Sequence, residues 1–137
     1  MQVNPYVFFE GRCEEALEFY KKAVGAKVTF QHRYKDSPDP LPPGAVAPGW
    51  ESKIMHATFT IGQSTLHASD GRGQGKVSHQ GFSLSLTVPT PAEADRCFAA
   101  LADQGQVEMP LSKTFFSPRF GMLTDRFGVG WMVYVAP

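Results

Sequence analysis

The order of hydrophobic and polar residues predicts short strands separated by helices. Residues 4–10 and 26–34 are rich in aromatic and β-branched side chains, which favour strands. Between them, apolar residues recur at helical spacing from Ala16 to Val24, and Gly25 is a typical C-terminal stop for the predicted helix. Residues 35–50 contain five prolines and predict a long loop.

Residues 54–69 predict a β-hairpin with a tight turn at Gly62 and Gln63. In that register Thr58 lies opposite His67, and strand alternation places six polar side chains on one face. These are His56, Thr58, Thr60, Thr65, His67 and Ser69. The opposite face is apolar and is predicted to be covered by a helix. A face with histidine and threonine but no lysine or carboxylate suits a ligand cavity better than open solvent.

The second half of the chain repeats this order of elements. Residues 81–88 alternate apolar and hydroxyl side chains, which predicts a strand. A helix is predicted over 90–105, with Thr90 as N-cap, Glu93 completing a capping box and Gly105 at its end. Three further strands are predicted at 106–116, 120–125 and 130–136. The order strand–helix–strand–strand–strand therefore occurs twice, which indicates an internal duplication.

The glycine-rich segment 71–79 is predicted to connect the two modules. Gly75 and Lys76 suggest a phosphate-binding loop, but Val77 follows them instead of Ser or Thr, and a strand comes next instead of a helix. We therefore predict a single domain of residues 1–137 that consists of a first module, 1–70, and a second module, 80–137.

Composition limits the partners and the location we expect. The chain has 13 basic and 13 acidic residues without a basic block, so neither nucleic acid nor a membrane is expected as a partner. Cys13 and Cys97 are the only cysteines, and residues 1–11 lack the features of an export signal. A cytoplasmic protein with reduced, packed thiols is the expectation. His32 and His79 are expected to be solvated.

Several stretches carry a resemblance to a known family. They are "PYVFFEGRCEEALEFY", "IMHATFTIGQSTLHASD", "QGFSLSL" and "KTFFSPRFGMLTDRFGVGWM". The chain resembles the vicinal oxygen chelate superfamily, which includes glyoxalases and bleomycin-resistance proteins, and within it the PhnB-like branch. The resemblance implies an α+β fold, in which tandem βαβββ modules form a cavity-enclosing mixed sheet with helices on the outer face. It also implies a homodimer.

The resemblance allows the superfamily's metal positions to be compared with this sequence. They fall at Pro5, at His67, at Phe82 or Ser83, and at Met132. Of these only His67 can bind a divalent metal, and such a site needs at least three ligands of His, Cys, Asp or Glu type. We therefore predict neither a metal site nor another cofactor.

His56 and His67 are the candidate catalytic residues, because two histidines on one face can share a proton or bind an anionic substrate. In one alternative they bind a divalent metal, completed by Asp70 or by an acid of the long loop: Asp36, Asp39 or Glu51. In another they are cavity histidines without a chemical role, hydrogen-bonded to Thr58 and Ser69. Six residues are predicted to contact a ligand: Thr58, Ser69, Ser83, Phe116, Met132 and Tyr134.

The sequence predicts a PhnB-like protein that binds a small molecule in the cavity of its sheet, without identifying the molecule or deciding whether the protein is an enzyme. One alternative is a metal-dependent lyase, isomerase or dioxygenase with a relocated site at His56 and His67. A second is a resistance protein that sequesters a drug without catalysis. The second needs an acidic groove for cationic drugs, and the neutral charge balance gives it little support.

Overall fold

The structure is a computed structural model that describes residues 1–137. The chain forms two compact units, Met1–Val77 and Ser78–Pro137. Neither of the two α-helices has the length and apolar composition that are needed to span a membrane.

The first unit is a four-stranded sheet with one α-helix on one face. Its elements are β1 (Tyr6–Phe8), α1 (Cys13–Val24), β2 (Lys27–Arg33), β3 (Ile54–Ile61) and β4 (Ser64–Ser69). The strand order is β1-β4-β3-β2, with β1 parallel to β4 and the other pairs antiparallel. The long loop contains two single-turn 3₁₀ helices, Tyr34–Asp36 and Trp50–Ser52.

The second unit has the same topology. Its elements are β5 (Leu84–Val88), α2 (Pro91–Ala102), β6 (Gln106–Ser112), β7 (Phe120–Thr124) and β8 (Gly130–Val135). The strand order is β5-β8-β7-β6, with β5 parallel to β8. The predicted α+β fold with a duplicated βαβββ order is therefore confirmed.

The apolar face of the β3–β4 hairpin is buried, as alternation predicts. Ala57, Phe59, Leu66 and Ala68 are all 5% exposed or less, and the ring of Tyr20 on α1 stacks on Phe59 at a centroid distance of 6.4 Å. Removing this apolar surface from water is the main driving force that holds α1 on the sheet. The opposite, polar face of the sheet lies away from α1.

The two helices begin differently. At the start of α1, Arg12 provides no side-chain cap, and the carboxylate of Asp70 accepts the Cys13 N–H at 2.8 Å instead. The same carboxylate accepts the Ile54 N–H, 2.6 Å away, so one buried side chain joins α1 to β3. In α2 the hydroxyl of Thr90 caps the N–H of Glu93 as predicted. The predicted capping box is only half correct, because the Glu93 carboxylate pairs with Arg96 at 2.8 Å.

The helices also end differently, which corrects one prediction. Gly25 follows α1 in the left-handed conformation, with φ of 69°. Gly105 does not have this role, since Gln104 takes the left-handed conformation after α2, with φ of 60°. Gly105 instead allows close packing, because a Cβ there would overlap the carbonyl oxygen of Thr124.

The first part of the glycine-rich segment belongs to the first unit. The carbonyl oxygen of Gly71 accepts hydrogen bonds from Tyr34 Oη and Trp50 Nε1, both at 2.8 Å. The carbonyl oxygen of Arg72 accepts the N–H of Ala47 at 2.8 Å. These bonds tie the segment to the long loop before the chain enters the second unit at Ser78.

Candidate functional site

The open face of the first sheet carries a cluster of rings contributed by all four strands. Pairing places Tyr6 beside His67, His67 opposite Thr58, Thr58 opposite Phe30, and His56 opposite His32. The predicted pairing of Thr58 with His67 is confirmed. We call this surface the histidine face, and it consists of Tyr6, Phe8, Phe30, His32, His56, Thr58 and His67.

A chain of hydrogen bonds runs through the centre of the histidine face. Tyr6 Oη lies 3.0 Å from His56 Nδ1, and His56 Nε2 lies 3.2 Å from Thr58 Oγ1. Thr58 Oγ1 in turn lies 3.1 Å from His67 Nδ1. Both ring nitrogens of His56 are therefore engaged, whereas Nε2 of His67 makes no hydrogen bond within the chain.

Aromatic rings surround this hydrogen-bonded chain and remain accessible. Tyr6 is 41% exposed, Phe8 is 47% exposed and Phe30 is 49% exposed. Tyr6 stacks on Phe8 with centroids 5.0 Å apart, and Phe30 lies 6.0 Å from His56. The imidazoles of His56 and His67 are 5.3 Å apart. The surface thus combines flat apolar rings with polar atoms that can form hydrogen bonds.

The environment of His56 favours the neutral form of its imidazole. Burial lowers the pKa of His56, and the neighbouring His67 and His32 lower it further because a second positive charge would be repelled. A neutral imidazole has one N–H donor and one acceptor nitrogen. His56 can therefore donate one hydrogen bond and accept another at neutral pH without carrying a charge.

The structure corrects the expectation that His32 and His79 are solvated. His32 pairs with His56 across β2 and β3, and its Nε2 atom is buried without a hydrogen-bond partner. His79 is half-buried, and burial lowers its pKa while the nearby Asp125 opposes that shift.

Both cysteines are buried, and burial raises the pKa of the Cys13 thiol, as do the neighbouring carboxylates of Asp70 and Glu14.

The other predicted contact residues lie in different surroundings. Ser69 is buried, and its Oγ accepts the N–H of Gly71 at 3.1 Å, so Tyr6 rather than Ser69 is the partner of His56. In the second unit, Met132 and Tyr134 share the open face of β8. Phe116 stacks on Tyr134 with centroids 6.4 Å apart. Ser83 lies just before β5 and close to Gly130 on β8. A Cβ atom added at Gly130 would lie 3.0 Å from Ser83 Oγ.

A concavity of about 430 Å³ in the first unit shares no residue with the histidine face and contains an internal ion pair. Its lining residues are Gly11, Glu14, Arg33, Lys35, Ser52, Lys53 and Asp70. Arg33 and Glu14 form an ion pair at 2.7 Å, which lowers the pKa of Glu14. Lys53 Nζ donates to the carbonyl oxygen of Gly11 at 2.9 Å. The histidine face is therefore the better candidate for ligand binding.

Comparisons with known proteins agree with this architecture. A family model described as the Glyoxalase/Bleomycin resistance protein/Dioxygenase superfamily matches residues 2–133. The chain belongs to this superfamily. Protein YjdN from Escherichia coli (strain K12) is 34% identical, in an alignment of 142 positions that covers 98% of this chain and 95% of YjdN.

Two solved structures are similar over nearly the whole chain. Protein PA1353 from Pseudomonas aeruginosa is 42% identical, with a TM-score of 0.86, over 99% of this chain and 98% of that one. The PhnB protein from Bacillus cereus is 30% identical, with a TM-score of 0.82, over 99% of this chain and 100% of that one. The resemblance to the PhnB-like branch of the superfamily is therefore confirmed.

The residues present do not fit the metal centre that the superfamily resemblance implies. On the first strand it is Tyr6, and not Pro5, that shares a face with His67. Both nitrogens of His56 are hydrogen-bonded, and the Asp70 carboxylate is occupied by the N–H groups of Cys13 and Ile54. No three His, Cys, Asp or Glu side chains are grouped so that they could hold a metal ion.

Sequence reasoning missed four residues of the histidine face: Tyr6, Phe8, Phe30 and His32. Alternation could have separated Tyr6 and Phe8 from the buried Val7 and Phe9, but all four are apolar or aromatic, so the pattern does not show which pair is buried. In β2, the register shift between Val28 and Phe30 moves Phe30 to the open face.

Proposed function

We propose that this superfamily member binds a small, planar organic molecule on the histidine face, without the divalent metal of the superfamily's metal enzymes. The observation that carries this proposal is the hydrogen-bonded chain Tyr6–His56–Thr58–His67 between half-exposed aromatic rings. Such a combination of apolar walls and a few placed polar groups is typical of small-molecule sites.

The chemistry of the face indicates the kind of ligand. Tyr6, Phe8 and Phe30 offer ring surfaces on which a flat molecule can stack. Aromatic stacking contributes favourable binding free energy in addition to that gained by burying the rings. The imidazoles and the tyrosine hydroxyl suit a ligand with carbonyl or hydroxyl groups. No Lys, Arg, Asp or Glu belongs to the histidine face, so it offers no partner for a strongly charged ligand.

A panel of phenols, aryl ketones and aryl carboxylates, titrated while the histidine and tyrosine side-chain NMR signals are recorded, tests the proposal. We expect at least one compound class to shift the signals of His67 and Tyr6 in a saturable way. The variant His67→Ala should lose this response, whereas Met132→Ala, the matched change on the second sheet, should retain it. Shifts that cluster on Tyr134, or no saturable shift with any compound, would contradict the proposal.

The metal-free part of the proposal has its own measurement. Zinc, manganese or nickel, added to protein purified without chelator, is expected to leave the thermal midpoint unchanged, because a bound metal would stabilise the folded state by mass action. Stoichiometric metal that disappears in His67→Ala would instead support the relocated metal site.

We also propose a cytoplasmic homodimer, for which a solution mass of twice the chain mass is the expected result.

A further inference from the structure

We propose that Tyr6, His56, Thr58 and His67 form a proton relay whose two ends act on one bound molecule, so that the protein catalyses keto–enol isomerisation of an enolisable aryl ketone. The ends are Tyr6 Oη and His67 Nε2. This inference rests on the proposed function, because it requires a ligand on the histidine face.

Counting donors shows that the chain of hydrogen bonds has two continuous arrangements with neutral groups, in which every donor points in the same direction along the chain. Each neutral imidazole has one N–H, and each hydroxyl has one O–H. In the first arrangement every group donates towards His67: Tyr6 to His56, His56 to Thr58, and Thr58 to His67 Nδ1, which leaves a proton on His67 Nε2. In the second every donor is reversed, His67 Nε2 is an unprotonated base, and the Tyr6 hydroxyl donates outwards.

The two arrangements differ by one proton shift along each of the three hydrogen bonds. A proton accepted at His67 Nε2 is therefore matched by a proton released at Tyr6 Oη, and no group has to stay charged. The three donor–acceptor distances of 3.0, 3.2 and 3.1 Å are all within hydrogen-bond range. The lowered pKa of His56 agrees with a relay that remains neutral, and the rings that face it, Tyr6, His32 and His67, carry no negative charge.

The sheet brings the two ends of the relay together. Tyr6 and His67 are direct partners in the parallel pair β1–β4, and their ring centroids are 5.9 Å apart. Tyr6 is 41% exposed, and His67 Nε2 makes no hydrogen bond within the chain. One small ligand can therefore contact both ends at the same time.

The chemical step balances without a cofactor. Starting from the second arrangement, His67 Nε2 removes a proton from the carbon next to the carbonyl, and the C–H electron pair becomes the C=C bond of the enol. The carbonyl oxygen receives the Tyr6 proton as the C=O π pair becomes its new O–H bond. The relay is then in the first arrangement, from which it can catalyse the reverse step or exchange protons with water at its two ends.

The test uses 1-phenylbutane-1,3-dione in D₂O, with deuterium uptake at the carbon between its carbonyls followed by ¹H NMR. We expect the protein to accelerate uptake, and Thr58→Val to lower that acceleration about 100-fold, since general acid–base catalysis contributes at least that much. Thr58→Ser, which restores the hydroxyl, should recover most of the rate. Tyr6→Phe removes one end of the relay while keeping the ring, and it should lower the rate to the same extent.

Binding of the dione, measured by the same NMR titration, separates the two proposals. Saturable binding with no acceleration of uptake would overturn the relay and leave the proposed function intact, as would full activity in Thr58→Val. Failure of the dione to bind while another compound of the panel binds would overturn the stated substrate class. Failure of the whole panel would overturn both. Far-ultraviolet circular dichroism and the thermal midpoint establish that each variant is folded, and Tyr6→Phe tests the relay if Thr58→Val does not fold.

Discussion

In the first unit, the open faces of the paired strands β1 and β4 carry Tyr6 and His67, whereas the corresponding pair β5 and β8 of the second unit carries Ser85 and Met132. The buried faces differ much less, since both sheets place aliphatic and aromatic residues under a helix. The two sheets therefore share one topology that is compatible with different chemistry on the open face. The residues on the open face do not pack against the helix and can differ in type. Of the two open faces, only that of the first unit carries histidines.

The two units also use a buried aspartate in different ways. Asp70 accepts the N–H groups of Cys13 and Ile54 and so joins a helix to a strand. Asp125 accepts the N–H groups of Phe127 and Val129 together with Trp131 Nε1, and so holds the turn between β7 and β8. A buried carboxylate is stable when such hydrogen bonds compensate its charge.

Removing these carboxylates should have the largest effect on stability. We expect Asp125→Asn to lower the free energy of unfolding by about 4 kcal/mol and Asp70→Asn by about 3 kcal/mol, because three and two buried donors respectively lose their charged acceptor. Urea denaturation measures both. Asp39→Asn, at an exposed position, is the control and should change stability by less than about 0.5 kcal/mol. A loss below about 1 kcal/mol for Asp125→Asn would mean that this turn does not depend on the carboxylate.

The helix ends provide a second comparison, with a smaller effect. Gly105→Ala should cost about 2 to 3 kcal/mol, because the new Cβ overlaps the backbone of Thr124 and forces the chain to move. Gly25→Ala should cost about 1 kcal/mol, because its left-handed φ disfavours a side chain but the surrounding space is open. Thermal unfolding of the two variants under the same conditions ranks them. Equal losses would show that the overlap at Gly105 is relieved at no greater cost than the strained conformation at Gly25.

The smallest expected effect is on the pH dependence of the free energy of unfolding. A histidine whose folded pKa is lowered binds fewer protons in the folded state, so the free energy of unfolding falls as pH decreases below about 6.5. His56→Gln should reduce this dependence. His79→Gln should also reduce it, because burial lowers the pKa of His79 although Asp125 opposes that shift. Urea titrations between pH 5 and 8 measure the slopes, and an unchanged slope in both variants would show that these two histidines do not cause the dependence.

Much of the fold followed from local patterns. The turn at Gly62 and the alternation on either side of it placed Thr58 opposite His67 correctly. Phe30 could not be placed in this way. Simple alternation puts Phe30 on the same face as Val28, but the register shift between them pairs Val28 with Phe59 of the buried face and Phe30 with Thr58 of the open face. A one-residue shift of this kind depends on strand pairing and leaves no clear mark in the sequence.

By itself the sequence determined the order of the elements, the duplication and the hairpin that carries His56 and His67, because these depend on neighbouring residues and on a period of two or 3.6. Only the tertiary structure decided that Tyr6 completes the hydrogen-bonded chain, that Asp70 caps α1 and that Gly105 meets Thr124. Each of these contacts joins residues distant in the chain, and sheet pairing and helix packing, rather than local preference, bring them within a few ångströms.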